Sequence, residues 1–199
     1  MEIILATANL HKLREFREMF KSLNHLELMS LHAFPPYRAP EETGKTFKEN
    51  AILKAEHAAK HLNHWVIADD SGLVVPALKG EPGVFSRRYA GLNATDQDNR
   101  SKLLQAMKDL KGQERIAYFE CALALAGPQG LKKCVEGICE GRILEESRGR
   151  HGFGYDSLFV KNDYEKTFAE LDETIKNRIS HRRKAFERLL HALETLSQL

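Results

Sequence analysis

Cysteine is scarce in this chain: Cys121, Cys134 and Cys139 are the only three in 199 residues, an odd number with no Cys-x-x-Cys spacing. That argues against a disulfide framework or a zinc ribbon and suits reduced thiols in a cytoplasmic setting. Long apolar runs are missing as well. Nowhere do about 18 apolar residues stand together, and the opening MEIILATANLHK has a short apolar stretch with no basic lead-in, so neither a membrane span nor a signal peptide is expected. An excess of one charge is also lacking. Thirty Lys and Arg face 28 Asp and Glu for a net of +2, which excludes a field strong enough to pull the whole molecule onto nucleic acid or a membrane surface. Anion binding, if any, must be local. Repeats and low-complexity linkers are absent too. With 42% hydrophobic residues the chain can bury one substantial core, and a single domain over 1–199 is the expectation.

What is present alternates strand-like and helix-like patterns. Residues 3–6 read as a short buried strand, and Leu10, Leu13, Phe16, Phe20 and Leu23 fall on one face of a following helix. A loop with Pro35, Pro36 and Pro40 leads to a helix over 46–62, whose Phe47, Ala51, Ala55, Ala58 and Leu62 share a face, and 65–68 returns to a strand. Thr95 can cap a helix carrying Leu103, Leu104, Met107 and Leu110. Strand-like runs at 116–126 and 132–139, split by GPQG, predict a hairpin, and 158–160 a further short strand. Phe186, Leu189, Leu190, Leu193 and Leu196 mark a closing helix. The order predicts an α/β chain with a mixed sheet.

Five stretches carry chemistry. In VIADDSGL an apolar run ends on two adjacent carboxylates, Asp69 and Asp70; like charges that close need water or a cation beside them. Glu41 and Glu42 in PEETG supply further carboxylates, and a hard cation such as magnesium takes one or two of these with phosphate and water oxygens. The alternative is a turn at a strand end, with solvated glutamates. TANLHK stands where strand gives way to helix, so free backbone N–H groups there favour a phosphate, with Asn9 and Lys12 as added donors; otherwise Thr7 is a cap and Lys12 a solvated side chain. In GFGYD, glycines flank Phe153 and leave room for a base to stack, although an aromatic pair at a strand entrance is also ordinary core. In KNRISHRR, Ser180 can cap the last helix while His181 and Arg182 sit in its first turn. The helix dipole disfavours cations there, so an acceptor-rich ligand is expected to face them. His57, His61 and His64 have a spacing that could hold a metal, but no carboxylate accompanies them and a solvated face is the expectation.

TANLHK, EETGKTFKENAILKA, IADDSGL, PGVFSRRYAG, FGYD and ISHR, in this order, resemble the inosine triphosphate pyrophosphatase family, also called Ham1. The resemblance spans Ile3 to about Leu196 and implies an α/β fold of two lobes around a long central mixed β-sheet, a substrate cleft between them, and a homodimer. It further implies magnesium-dependent hydrolysis of ITP, dITP and XTP to the monophosphate and pyrophosphate, cleansing the nucleotide pool. Carried over, it places Thr7, Ala8, Asn9, Leu10, His11, Lys12 and Ser71 on the triphosphate. Glu41 and Asp70 fall at the metal, with Asp70 also the proton acceptor. Phe153, Gly154, Tyr155, Asp156, Lys176, His181 and Arg182 fall around the base. Two positions depart from the usual pattern, Ala8 replacing a glycine and Ser157 a proline; Tyr155, where other members have a tryptophan, keeps an aromatic wall. The alternatives are a catalytically silent purine-nucleotide binder and a related pyrophosphatase for modified pyrimidines.

Overall fold

The computed structural model describes residues 1–34 and 36–196; Pro35 of the proline-rich loop lies outside the described residues. The first strand, β1 (Glu2–Leu5), has Ile3, Ile4 and Leu5 wholly buried, as befits a strand with parallel neighbours on both sides. It feeds α1 (Leu10–Phe20), which turns Leu13, Phe16, Met19 and Phe20 inward. The return strand β2 (Glu27–Ser30) has no strong sequence pattern and pairs parallel to β1, Ile3 opposite Leu28. Thr46 caps α2 (Phe47–Leu62) by accepting the Glu49 N–H at 3.1 Å, and Asn63 ends it in the left-handed region with φ 52°.

The next strand corrects the sequence reading. Instead of ending near Ala68, β3 (Val66–Val74) runs straight through Asp69, Asp70 and Ser71. Leu73 and Val75 are as buried as the residues before the aspartates and Val74 nearly so, so apolar burial holds both halves and the carboxylates are answered in mid-strand. Thr95 caps α3 (Asp96–Ala106) through a reciprocal pair with Asp98, as its sequence predicts. The strands β4 (Ile116–Gly127) and β5 (Gly130–Ile143) are joined by the short GPQG turn and outrun their predicted lengths; β6 (Phe159–Lys161) is antiparallel to β5. A helix not foreseen, α4 (Glu173–Ile179), is capped by Asp172 and precedes α5 (His181–Leu196). The strand order is β2-β1-β3-β4-β5-β6 in one six-stranded mixed sheet.

The chain divides into two compact units. The first contains residues 1–70, 121–137 and 182–199, and its core gathers Phe16, Phe20 and Phe186 with Ile3, Leu5, Ile67 and Leu123. The second contains 71–120 and 138–181, with Phe119, Phe159 and Phe168 among Leu73, Leu103 and Met107. In that core Phe119 and Phe159 meet edge to face at 4.7 Å between centroids.

Candidate active site

In the first unit, α1 opens on the expected phosphate-facing stretch. Ala8, Leu10 and His11 are exposed and Thr7, Asn9 and Lys12 half-buried. The N-cap is Asn9, not Thr7: its Oδ1 accepts the N–H of His11 at 2.9 Å and of Lys12 at 3.3 Å, while Thr7 Oγ1 accepts the Asn9 N–H at 3.2 Å. Two of the amides expected to be free are therefore taken by Asn9.

The adjacent aspartates of β3 are answered by the protein's own cations. Alternation along the strand sends the two side chains to opposite sides. Asp69 meets Lys12 and Arg182 on one side, and Asp70 meets Lys54 and Asn50 on the other. Asp69 is the hub of a buried network: Oδ1 pairs with Lys12, while Oδ2 accepts Arg182 Nε at 3.0 Å and the Cys121 thiol at 3.0 Å. Arg182 in turn pairs with Glu15. Burial alone would raise the Asp69 pKa, but Arg182 and Lys12 outweigh it and hold the carboxyl far below the usual range. The Arg182 side chain is 1% exposed; burial opposes its charge, yet Asp69 and Glu15 raise its pKa. The cation at the start of α5 is thus met by acids of the protein, where the sequence had pointed to a ligand.

On the other side, Lys54 of α2 places its ammonium among three oxygens: Glu42 Oε1 at 2.7 Å, the Asp69 carbonyl at 2.8 Å and Asp70 Oδ1 at 3.0 Å. Burial lowers the Lys54 pKa, and Asp70, Glu42 and Asp69 more than reverse it. For Asp70 burial is the largest influence and raises the pKa, Lys54 and Lys12 pull it back in part, and Glu42 adds to the rise. Among the described residues no three His, Cys, Asp or Glu side chains are grouped to hold a metal. The oxygens around Lys54 nevertheless form the donor set of a hard dication, two carboxylates and a carbonyl about one positive point, which phosphate and water oxygens would complete. Residues and magnesium fit on that ground. Glu42 faces this cluster, whereas Glu41, the glutamate expected there, is exposed.

In the second unit, the GFGYD turn is built around Asp156. Its Oδ2 accepts the Phe153 N–H at 2.9 Å and pairs with Lys176 of α4 at 2.6 Å. Gly152 has φ +78°, and a Cβ there would lie 2.1 Å from that same oxygen, so the turn admits only glycine. The Lys176 ammonium lies 4.7 Å from the centre of the Phe153 ring. Gly154 is held by Arg100 on its carbonyl and Asp96 on its amide. Tyr155 is core instead of a free aromatic wall: 3% exposed, it donates to the Ser86 carbonyl at 2.9 Å. His181, 5% exposed, stacks on Phe119 at 4.8 Å and 14°.

Sequence reasoning overlooked five of these participants: Glu15, Asn50, Lys54 and Cys121, and Glu42 as the inward glutamate. One signal was available. Asn50 and Lys54 are four apart on the helix face that also carries Ala51, Ala55 and Ala58, so two polar groups were already placed toward the interior. Of the histidines expected to be solvated, His61 is exposed, half-buried His57 stacks on it at 4.0 Å with the Tyr37 hydroxyl 2.9 Å from His57 Nδ1, and half-buried His64 meets Phe34 edge to face.

Residues 3–192 match the Ham1 family. The chain belongs to that family. A protein from Protochlamydia amoebophila named dITP/XTP pyrophosphatase is 71% identical over 98% of this chain and 99% of its own length. A Bacillus anthracis protein of the same name is 51% identical over 94% of each chain. Solved Ham1 structures agree in fold: that from Coxiella burnetii superposes with a TM-score of 0.88 at 43% identity, and the Staphylococcus aureus protein with 0.86 at 42%, each over 98% of both chains. The Ham1 relationship expected from the six motifs is therefore borne out, as is the α/β fold with a mixed sheet.

Proposed function

We propose that the chain hydrolyses the noncanonical purine nucleoside triphosphates ITP, dITP and XTP to the monophosphate and pyrophosphate. The observation that carries this is the 71% identity, over nearly the full length, to a protein named dITP/XTP pyrophosphatase. The carboxylates and cations that phosphoryl hydrolysis needs are present to support it. In this reading Thr7, Ala8, Asn9, Leu10, His11 and Lys12 bind the triphosphate together with Ser71, and Asp70 would hold a magnesium ion with Glu42, which faces the same oxygens, and with Glu41, the glutamate expected from the sequence, next to it in the loop. The bound ion neutralises charge on the phosphate oxygens. Asp70 accepts the proton of the attacking water. Phe153, Gly154, Tyr155, Asp156, Lys176, His181 and Arg182 surround the base, Tyr155 through its backbone. The setting this implies is a cytoplasmic homodimer acting on the nucleotide pool, without nucleic-acid or membrane partners.

Pyrophosphate release from a panel of triphosphates, with and without magnesium, tests the reading. ITP and XTP should be turned over far faster than ATP, GTP and CTP, and only with the metal. Comparable turnover of ATP would remove the purine-selective reading, and tight binding of ITP without release of pyrophosphate would favour a silent nucleotide binder.

Selectivity is assigned to donors facing the 6-oxo group, which adenine would leave buried and unpaired. Off the apolar face of α5 in sequence, His181 is expected to be tolerant of alanine; its burial against Phe119 makes that variant costly to folding. His181→Phe keeps the stack and removes the ring nitrogens. A lost buried hydrogen bond of about 1–3 kcal/mol predicts an ITP-to-ATP ratio of kcat/KM lowered roughly 5- to 150-fold. An unchanged ratio would take His181 out of base recognition.

A further inference from the structure

We infer that Asn50 is a positioning residue that clamps the 41–44 loop to Asp70 and so fixes the carboxylates of two separate segments relative to each other. Asn50 lies on the buried face of α2, 0% exposed, beside Ala51 and Ala55. A buried amide is unfavourable unless its polar atoms are bonded, so packing alone does not account for it. Its Oδ1 accepts the Gly44 N–H at 2.8 Å and its Nδ2 donates to Asp70 Oδ2 at 3.2 Å. Only one orientation of the amide satisfies both, since the loop offers a donor and Asp70 an acceptor.

The division of labour at Asp70 gives the clamp its purpose. Lys54 holds Oδ1, the oxygen it shares with the cluster of Glu42 and the Asp69 carbonyl, and Asn50 holds Oδ2. A dication competes with Lys54 for its oxygens, so that bridge must change when the ion arrives. The Asn50 bridge carries no charge and holds the other oxygen, so it can persist and keep the plane of the carboxylate set. Gly44 shows independently how tight the contact is. A Cβ there would lie 2.6 Å from Asn50 Oδ1 and 2.8 Å from Glu49 Cβ, so the loop approaches the amide only because residue 44 has no side chain.

The test perturbs the same contact from both ends in the full chain, with Asn50→Ala, Gly44→Ala and the double variant. Mn2+ binding to nucleotide-free protein is read by electron paramagnetic resonance, and melting is followed in a chelator. Loss of a partner that orients a metal ligand should weaken Mn2+ affinity by about 10- to 100-fold in each single variant. The double variant should be no worse than Asn50→Ala alone, since that variant already removes the contact that Gly44→Ala disturbs. The activity arm rests on the hydrolase reading: kcat on XTP should fall by a similar factor while KM stays within about 3-fold, because the nucleotide is held elsewhere. If Asn50→Ala does not fold, Gly44→Ala carries the test with the amide retained. Lowered melting temperatures with wild-type Mn2+ affinity would overturn the clamp and leave Asn50 a purely structural residue. Should the wild-type protein release no pyrophosphate at all, the hydrolase reading fails, and the Mn2+ arm still decides the clamp.

Discussion

Asp70→Asn should lower steady-state turnover of ITP by about 10²–10⁴ while leaving the protein folded, the loss reasonable for removing a general base. The substitution keeps the volume and one carbonyl oxygen, so a hydrogen bond to either Asn50 or Lys54 survives. It removes both the negative charge that would hold magnesium and the basicity that would take a proton from water. Lys54 would remain paired with Glu42 and the Asp69 carbonyl, which limits the damage to folding. Thermal melts run beside the kinetics separate the two effects. A well-folded Asp70→Asn protein with near-normal turnover would end the assigned mechanism.

The neighbouring Asp69→Asn should show the opposite profile, a loss mainly of stability. Its side chain is completely buried between Lys12 and Arg182, and Arg182 is itself 1% exposed. Removing one partner of a buried ion pair strands the other charge and costs about 3–5 kcal/mol. At roughly 2–4 °C per kcal/mol for a chain of this size, melting should fall by about 6–20 °C. The sign of the pH dependence follows from the depressed pKa. An Asp held below its unfolded value of about 3.9 contributes its full stability above that pH, progressively less below it, and none once the folded carboxyl is protonated. Wild-type stability should therefore decline below about pH 4 more steeply than that of the variant. Melting within a degree or two of wild type would mean that Asp69 does not hold the two cations. A greater loss of turnover per folded molecule than in Asp70→Asn would mean that the catalytic carboxylate is Asp69.

The pairing of these two aspartates shows what was legible in the sequence. Their adjacency announced a need for positive charge, and strand alternation announced that they would face different ways. The identity of the cations was not legible, because Lys12, Lys54 and Arg182 come from three helices far apart in sequence and look like ordinary surface residues there. The helices were readable where apolar periodicity and a cap agreed, as in α2 after Thr46 and α3 after Thr95. The length of β3 was hidden because two ionised residues in mid-strand contradict the apolar pattern of a buried strand until their partners are known. The strand β2 and the helix α4 are short and weakly patterned, so tertiary packing decides them. Glu41 and Glu42 illustrate the same limit: adjacent identical residues in a loop give no clue to which one turns inward.

The thiol of Cys121 turns this hub into something that can be timed. Burial and the nearby Asp69 carboxylate raise its pKa well above that of an ordinary cysteine, so the reactive thiolate is suppressed and the sulfur is sealed from solvent. Cys139 is equally buried, while Cys134 is half-buried. An alkylating reagent therefore reaches Cys121 only while the Lys12, Asp69 and Arg182 network is apart, and the rate of labelling at that one sulfur is a clock for how often the charged centre of the first unit opens.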